Sequence, residues 1–548
     1  MVVTFKGRPF DGGPVDCGTV DRGTVDRGSV DRGSLDCGTV DRGTVLLSRP
    51  ASAEMDQVQA LVLQVRAALA ERPQEPELLS IHFDFPMADL LALWESLSCP
   101  ETPYAYWEQP HPSLRILAMG QVVNIQTSGP QRFDLAQTEL QRWQRSMLHL
   151  SAGTSGSGHG HPKTTPPWLA SFTFFDDCGD CGEFEAGADP FGSPFAPGWI
   201  WLPRWQLCRW PDRCELWVHS RLTPGCSIVD GGNGGSDGVE AVVRSAWGLF
   251  QQLKYRLPPE SAAGHSTRHF GTPCFSSLVP PAIQTDRFGR GVEAILAGME
   301  GRLQKVVLAH HLDVQVHKPF HLRQSLQNLR RYYPDCYLFC WANAQGTNFM
   351  GASPERLLRI QQQHLQTEAL AGSVPRGSTP QESRHFAQGL LTNPKERHEH
   401  QLVVDFIVEQ LQILGIYPQR SGLPKVRQLS HIQHLHTDIT ATLTPQLHPL
   451  EVLAQLHPTP AVAGVPRDLA CDYIRRYEPC DRSLYAAPLG WIDGSGNCEF
   501  IVGIRSALIH HDRARLMAGA GIVQGSVPHR EIAEVELKLQ TMLRSLEV

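Results

Sequence analysis

Apolar and polar residues recur along this chain with two periods, which predicts both helices and strands. The run "EMDQVQALVLQVRAALA" (residues 54–70) has helical spacing and follows Ser52, a residue type suited to an N-cap. "AVVRSAWGLFQQLKYRL" (241–257) also has helical spacing, whereas "LASFTFF" (169–175), "WIWLPRWQLCRW" (199–210) and "CELWVHS" (214–220) have the aromatic and β-branched content of strands. From residue 287 onward strand-like and helix-like runs alternate to the C-terminus. The pattern predicts an α/β or α+β architecture in which the many Trp residues lie in the core.

Two further helical runs carry closely spaced carboxylates. In "KERHEHQLVVDFIVEQLQIL" (395–414), which follows Asn393-Pro394, Glu396 and Glu399 share one helix face, whereas His398 and His400 diverge. The run lacks the HExxH spacing of zinc proteases. Carboxylates without thiolates suit a hard cation such as Mg²⁺.

The second acidic run lies near the C-terminus. "HREIAEVELKLQTMLRSL" (529–546) places Glu531 and Glu534 one turn apart, with Lys538 one turn further on. Either run taken alone is equally typical of a solvated helix face with ion pairs between neighbouring turns.

Composition narrows the classes of function. The net charge of -7 comes without a basic stripe, which argues against a nucleic-acid partner. No apolar stretch reaches the length of a membrane span, and the N-terminus lacks the features of a secretory signal. The 14 cysteines show no regular spacing, which indicates a reducing compartment. We therefore expect a soluble, cytoplasmic protein, and a monomer is compatible with the sequence.

No catalytic role is predicted for three segments of the chain. Residues 15–44 repeat with period five, as in "VDRGT", a period that suits neither a helix nor a strand, so residues 1–50 are predicted to be a disordered tail. The Gly/Ser/His segment at 151–167 is predicted to be a flexible connection. A lone CxxC at Cys178 and Cys181 has no second pair to complete a zinc site and is interpreted as a loop.

Eight motifs in the second half of the chain occur in an order that resembles the chorismate-utilising enzymes. They are "FMGASPERLL" (349–358), "TEALAGSVPRG" (367–377), "NPKERHEHQLVV" (393–404), "HIQHL" (431–435), "LHPTPAVAGVPRDLA" (456–470), "YAAPLGWID" (485–493), "FIVGIRSALI" (500–509) and "AGAGIVQGSVP" (518–528). Within that family they are most similar to the isochorismate synthases of menaquinone or phylloquinone pathways. Ser373 stands where the relatives usually have Thr, and Ile532 where they often have Trp.

The resemblance implies a single large fold in which two β-rich halves face each other with helices outside. It places a variable N-terminal part at 51–280 and the chorismate-binding catalytic domain at 281–548. It also implies Mg²⁺ as cofactor, chorismate as substrate, and an isomerisation that adds water at C2 with loss of the C4 hydroxyl. By the same resemblance Lys305 is the base that activates water, and Glu355 is the acid that protonates the leaving hydroxyl. Burial must raise the pKa of Glu355 if it is to keep its proton near pH 7.

The remaining site residues are also implied by the resemblance. The principal metal ligands are Glu399 and Glu531, with Glu396 and Glu534 acting directly or through water. The substrate-binding residues are Gly372, Ser373, His434, Tyr485, Arg505, Gly519, Ala520, Gly521 and Lys538. Arg505 and Tyr485 are expected at the enolpyruvyl carboxylate, and Lys538 at the ring carboxylate.

Three alternatives remain open from the sequence. Salicylate synthases share the lysine and then eliminate pyruvate, so they are the nearest rival. Anthranilate synthases lack that lysine, and aminodeoxychorismate synthases carry one inside a "PIKGT"-like motif where this chain has Ala371 in "LAGS". The chain could also be a silent chorismate-binding paralogue, or its N-terminal half a separate interaction module.

Overall fold

The structure is a computed structural model that describes residues 52–71, 76–94, 97, 102–110, 114–152, 165–177, 191–222, 238–257, 286–299, 301–430 and 432–547. The predictions for the repeat tail, for most of the 151–167 connection, and for Cys178 and Cys181 lie outside these residues. The predicted mixture of helices and strands is confirmed.

The described strands are mostly short, and the longest of them lie in the second half of the chain. They are β1 (Leu78–Phe85), β2 (Tyr104–Glu108), β3 (Arg115–Met119), β4 (Val123–Thr127), β5 (Met147–Ser151), β6 (Trp168–Phe172), β7 (Gly198–Leu202), β8 (Trp205–Arg209), β9 (Cys214–Arg221), β10 (Lys305–Gln315), β11 (Tyr337–Ala342), β12 (Thr347–Ser353), β13 (Arg356–Gln361), β14 (His364–Pro375), β15 (Gln419–Arg420), β16 (Lys425–Gln428), β17 (Ile432–Thr442), β18 (Gly464–Val465), β19 (Pro488–Ile492), β20 (Cys498–Val502), β21 (Ser506–His510) and β22 (Arg513–Val523).

Helices alternate with these strands along the chain and pack against the sheets that the strands form. They are α1 (Ser52–Ala70), α2 (Leu90–Trp94), α3 (Arg132–Arg145), α4 (Gly238–Tyr255), α5 (Asp286–Gly298), α6 (Leu322–Tyr332), α7 (Pro380–Thr392), α8 (Pro394–Ile413), α9 (Pro449–Leu456), α10 (Arg467–Tyr477) and α11 (Pro528–Leu543). The two acidic runs form α8, which packs on β14 and β17, and α11, which packs on β22.

Two large sheets organise these strands. The first has twelve strands in the order β18-β10-β22-β21-β12-β11-β2-β3-β8-β9-β1-β5. The second has the order β15-β17-β14-β13-β20-β19-β6-β7-β4, with β16 paired to β17. In each sheet, strands from before residue 281 pair directly with strands from after it, as β2 does with β11 and β6 with β19.

One strand-like run in the sequence forms two strands that belong to different sheets. Residues 199–210 are divided between β7, in the second sheet, and β8, in the first. Pro203 lies between them and has no backbone N–H to continue a ladder. The chain therefore passes from one sheet to the other at this point.

The tryptophans lie largely in the core, as predicted. Trp107, Trp168, Trp201 and Trp341 are among the largest fully buried side chains, and the rings of Trp107 and Trp341 meet edge to face with centroids 5.9 Å apart. Such pairs add specific packing to the burial of large apolar surfaces.

Local sequence explains where α7 and α8 begin. Thr379 caps α7 with its side chain and forms a capping box with Glu382. Asn393 ends α7 and caps α8, where its side chain accepts hydrogen bonds from the backbone N–H groups of Lys395 and Glu396, and Pro394 follows at the first helical position. These caps fix the first turn of α8, which carries Glu396.

Among the described residues, none of the helices is both long enough and apolar enough to span a bilayer.

Candidate active site

A pocket of about 120 Å³ lies between the two sheets, and most of the predicted site residues line it. β10 and β22 contribute from the first sheet, and β14 and β17 from the second. The predicted residues in its lining are Glu355, Gly372, Ser373, Glu399, His434, Tyr485, Arg505, Gly519, Gly521, Glu534 and Lys538. Ala520 is buried between two lining glycines of β22. Lys305 and Glu396 contact the lining residues Glu399 and Ser373, and Glu531 is outside the lining, where it pairs with Lys395.

A β-bulge at Gly372 shapes one wall. The register of β14 against β17 shifts between Ala371 and Ser373, and Gly372 has a φ of +73°. A Cβ there would lie 3.1 Å from Oε2 of Glu396, so the position favours glycine through both its backbone angle and its crowding. The bulge turns the N–H of Ser373 toward Glu396, whose carboxylate accepts it at 3.2 Å.

Lys305 is a buried lysine paired with a carboxylate that faces the pocket. Its side chain is 1 % exposed, and Nζ lies 2.9 Å from Oε1 of Glu399. A Cβ on Gly521 would approach that Glu399 oxygen to 2.7 Å and Cε of Lys305 to 3.3 Å. Glycine at position 521 therefore gives the ion pair room beside β22.

Glu355 follows the last residue of β12 by two positions and keeps its proton near neutral pH. Burial is the largest effect and the negative charge of Glu368 the next, and together they raise the pKa of Glu355 from 4.5 to about 8 against the opposing charges of Lys305, Arg427 and Arg505. The expected rise in this pKa is present. A protonated carboxyl facing a pocket can donate a proton.

Three lysines balance three of the four predicted metal-binding carboxylates. Glu399 pairs with Lys305 at 2.9 Å, Glu531 with Lys395 at 3.4 Å, and Glu534 with Lys538 at 2.8 Å. Although burial acts to raise it, the pKa of Glu534 lies below its ordinary value because of Lys538. Burial raises the pKa of Glu531.

Glu396 is the fourth carboxylate of this group. Burial, and then the charge of Glu399, raise its pKa to about 7. Like charges gathered in this way are what a divalent cation would relieve, and an all-oxygen donor set fits Mg²⁺. In the described part of the chain, however, three metal-type ligand atoms lie within 4.8 Å of one another only at Glu368, His436 and Asp438.

His434 orients Arg505 beside the Gly372 bulge. Nδ1 of His434 donates to the carbonyl of Gly372 at 3.3 Å, so Nε2 can accept from Arg505, also at 3.3 Å. Burial, and then the charges of Arg505 and Lys538, hold the pKa of His434 well below its ordinary value, which keeps the ring neutral. Arg505 has a φ of +50°, and its carbonyl accepts the N–H of Ala352 at 3.1 Å. A non-glycine residue in this region carries backbone strain that the fold must hold.

Tyr485 and Lys538 complete the polar lining. Burial raises the pKa of Tyr485, so its hydroxyl stays protonated. Nζ of Lys538 donates to the carbonyl of Gly519 at 2.8 Å. With Arg505, these groups provide two cations and a hydroxyl in one pocket, which suits a small dianion.

A buried ion cluster behind Glu355 was not predicted from the sequence. Glu368 on β14 binds Arg427 of β16 and His436 of β17. A signal was present, since His434, His436 and Asp438 alternate along "HLHTD" and so lie on one face of a strand. The pairing partner on β14 could not be deduced from that alternation.

Comparison with known proteins identifies the family of this chain. Residues 62–547 match the family described as "Chorismate binding enzyme". A salicylate biosynthesis isochorismate synthase of Pseudomonas aeruginosa is 33% identical over 479 residues, which cover 87% of this chain and 92% of that protein. The isochorismate synthase MenF of Bacillus subtilis is 37% identical over 247 residues, 45% of this chain and 52% of that protein.

The fold has a solved counterpart. The structure of MenF, the menaquinone-specific isochorismate synthase from Escherichia coli, matches with a TM-score of 0.65 and 26% identity over 89% of this chain and 99% of that one. Because the family match spans most of the chain and agrees with both the full-length relative and the fold, this protein belongs to the chorismate binding enzyme family.

Proposed function

We propose that this protein is an isochorismate synthase that converts chorismate to isochorismate with Mg²⁺. The observation that carries the proposal is a protonated carboxyl, Glu355, in a pocket whose lining includes Arg505 and Lys538, together with the buried Lys305 bonded to the lining residue Glu399. Relatives named isochorismate synthase support it. The anthranilate synthase reaction is disfavoured because Lys305 is present, and the aminodeoxychorismate synthase reaction because Ala371 stands where those enzymes carry a lysine.

The reaction requires a base and an acid. Lys305 takes a proton from water as the water oxygen bonds to C2, the ring double bonds shift, and the C4–O bond breaks. Glu355 gives its proton to the departing hydroxyl, which leaves as water, so atoms balance and the net change is an isomerisation. A pKa of about 8 keeps the acid form of Glu355 dominant at pH 7.

Arg505, Tyr485 and Lys538 are the substrate anchors in this proposal. The guanidinium of Arg505 is oriented by His434 and suits the enolpyruvyl carboxylate, with the Tyr485 hydroxyl beside it. Lys538, on α11, suits the ring carboxylate. These contacts would place the ring between the two sheets.

Glu399 and Glu531 would hold Mg²⁺, with Glu396 and Glu534 nearby. When bound, the ion would hold the ring carboxylate and balance the charge of Glu399, which Lys305 balances in its absence. Lys305 acts as the base in its neutral amine form.

Product analysis tests the proposal directly. The purified chain is incubated with chorismate and Mg²⁺, and the products are separated by chromatography and identified by mass. Isochorismate without pyruvate is expected. Salicylate with pyruvate would instead indicate a salicylate synthase, and an absence of turnover would indicate a binding protein. An incubation without enzyme controls for spontaneous breakdown of chorismate.

A further inference from the structure

Glu368 lies in the second sheet behind Glu355 and binds the backbone next to it. Its Oε1 accepts the N–H of Arg356, the residue that follows Glu355, at 3.0 Å. Nη1 of Arg427 lies 2.9 Å from Oε1 and 3.0 Å from Oε2, and Nε2 of His436 lies 3.0 Å from Oε2. A buried carboxylate on β14 therefore fixes a peptide bond that leads from Glu355 into β13.

Glu368 is ionised despite its burial. Burial alone would raise its pKa, but the hydrogen bond from His436 and the charges of Arg427 and Arg356 outweigh it and hold the pKa at about 2. The cluster of Glu368, His436 and Asp438 has the residue types of a metal site. The guanidinium of Arg427 and the N–H of Arg356 already occupy the Glu368 oxygens. The cluster is therefore held by ion pairs and hydrogen bonds.

The backbone of Glu355 is held on its other sides as well. The hydroxyl of Ser353 accepts the N–H of Glu355 at 3.2 Å, and the N–H of Val502 donates to the Glu355 carbonyl at 3.1 Å. The contact from Glu368 is the one that comes from β14, the strand that also carries Gly372 and Ser373. One strand thus holds both the acid and the bulge that shapes the pocket wall.

We propose that Glu368 is a positioning residue for Glu355: it anchors the peptide bond that carries the acid and places a fixed negative charge on the strand behind it. The inference rests on the proposed function only in the role of Glu355 as the proton donor. The anchoring contacts and the charge are features of the folded chain.

The charges around Glu355 determine the direction in which its pKa should move when Glu368 is replaced. Glu368 on β14 opposes ionisation of Glu355, whereas Lys305 on β10, Arg427 on β16 and Arg505 before β21 favour it. The neighbouring Tyr485 and His434 are uncharged. Glu368→Gln keeps an oxygen for the Arg356 N–H but removes the charge, so Glu355 should lose its proton at a lower pH.

The decisive experiment follows the protonated carboxyl of Glu355 by infrared difference spectroscopy during a pH titration of the full chain. The band is assigned by its loss in Glu355→Gln. We expect Glu368→Gln to lower the titration midpoint by about one pH unit or more. Arg427→Gln should raise the midpoint.

Glu499→Gln is the matched control, because Glu499 is an equally buried carboxylate of the same sheet that bonds to Tyr337 instead. It should leave the midpoint within about 0.3 pH units of the unmodified chain's, far less than the expected effect of removing one buried neighbouring charge. An unchanged midpoint in Glu368→Gln, or an equal shift in Glu499→Gln, overturns the inference.

Glu368→Gln leaves the Arg427 guanidinium without its carboxylate partner, and this loss can prevent the variant from folding. In that case the double variant Glu368→Gln with Arg427→Gln is compared with Arg427→Gln alone, and a lower midpoint in the double variant is expected; equal midpoints overturn the inference.

The turnover assay separates this inference from the proposed function. In an active enzyme the alkaline limb of kcat should move with the infrared midpoint, while a merely structural lesion lowers kcat at every pH. If the unmodified chain does not convert chorismate and the midpoints still shift as expected, the proposed function fails and the role of Glu368 toward Glu355 stands. If chorismate is converted and the midpoints do not shift, the inference about Glu368 fails and the proposed function stands.

Discussion

Replacing Glu355 with glutamine should stabilise the protein at pH 8 and leave its stability nearly unchanged at pH 5. In the unfolded chain this carboxyl ionises at its ordinary pKa of 4.5, whereas in the folded chain it keeps its proton to about pH 8. A group whose folded pKa is raised contributes stability below the unfolded pKa and loses it as the pH rises toward the folded pKa. Glutamine has the same shape and does not titrate.

The magnitude follows from the two pKa values. Each pH unit between them costs the native protein about 1.4 kcal/mol relative to the variant. Between pH 5 and pH 8, with the slope flattening at both ends, the difference in the free energy of unfolding should grow by about 3 to 4 kcal/mol. Other groups that titrate in this window are common to both proteins and cancel in the difference.

Urea unfolding followed by tryptophan fluorescence at pH 5, 6, 7 and 8 measures this difference. Glu409→Gln, which removes the same group from an exposed position of α8, calibrates the method. A difference between Glu355→Gln and the native chain that stays constant from pH 5 to pH 8 would refute the reasoning, because it would mean that Glu355 ionises in the folded protein much as it does in the unfolded one.

Four further outcomes are expected. Lys305→Ala and Glu355→Gln should each lower kcat by about 10³-fold or more while far-UV circular dichroism stays native, and normal turnover in either would contradict the assigned roles. The kcat of the native enzyme should fall above about pH 8 as Glu355 loses its proton, which a pH profile measures; a kcat that stays level to pH 10 would exclude Glu355 as the acid. Glu399→Gln should weaken Mg²⁺ binding, followed by calorimetry, by about 10-fold or more, whereas unchanged binding would place the ion elsewhere. A chain that begins at residue 52 should turn over chorismate at the rate of the full chain, since the family match begins at residue 62; a large loss would give the repeats a role.

Helices were the part of the fold most open to prediction, because their signals are local. The apolar spacing after Asn393-Pro394 predicted a helix over 395–414, and α8 spans Pro394–Ile413. The cap, the proline and the buried face all lie within one stretch of sequence. The run at 199–210 shows the limit, because the same aromatic and β-branched content suits strands of either sheet and the crossing at Pro203 depends on tertiary pairing.

The residues that line the pocket could be predicted from the sequence, but the ion pairs between side chains could not. Motif resemblance selected eleven residues that line one pocket. The pairing of Lys395 with Glu531 joins residues 136 positions apart, and that of Arg427 with Glu368 joins residues 59 apart. Both depend on helix packing and strand register, which no local pattern encodes. The charges that set the protonation of Glu355 therefore became visible only in the folded chain.

The interleaving of early and late strands has a consequence for how the protein is made. β6 has β7 on one side and β19 on the other, so the partner of an early strand is synthesised more than 300 residues after it. Until that segment leaves the ribosome, β6 exposes an unpaired edge, and long loops must close before the sheet can form. Folding is therefore expected to complete only after translation is nearly finished, and the nascent chain is expected to need protection by chaperones during that interval.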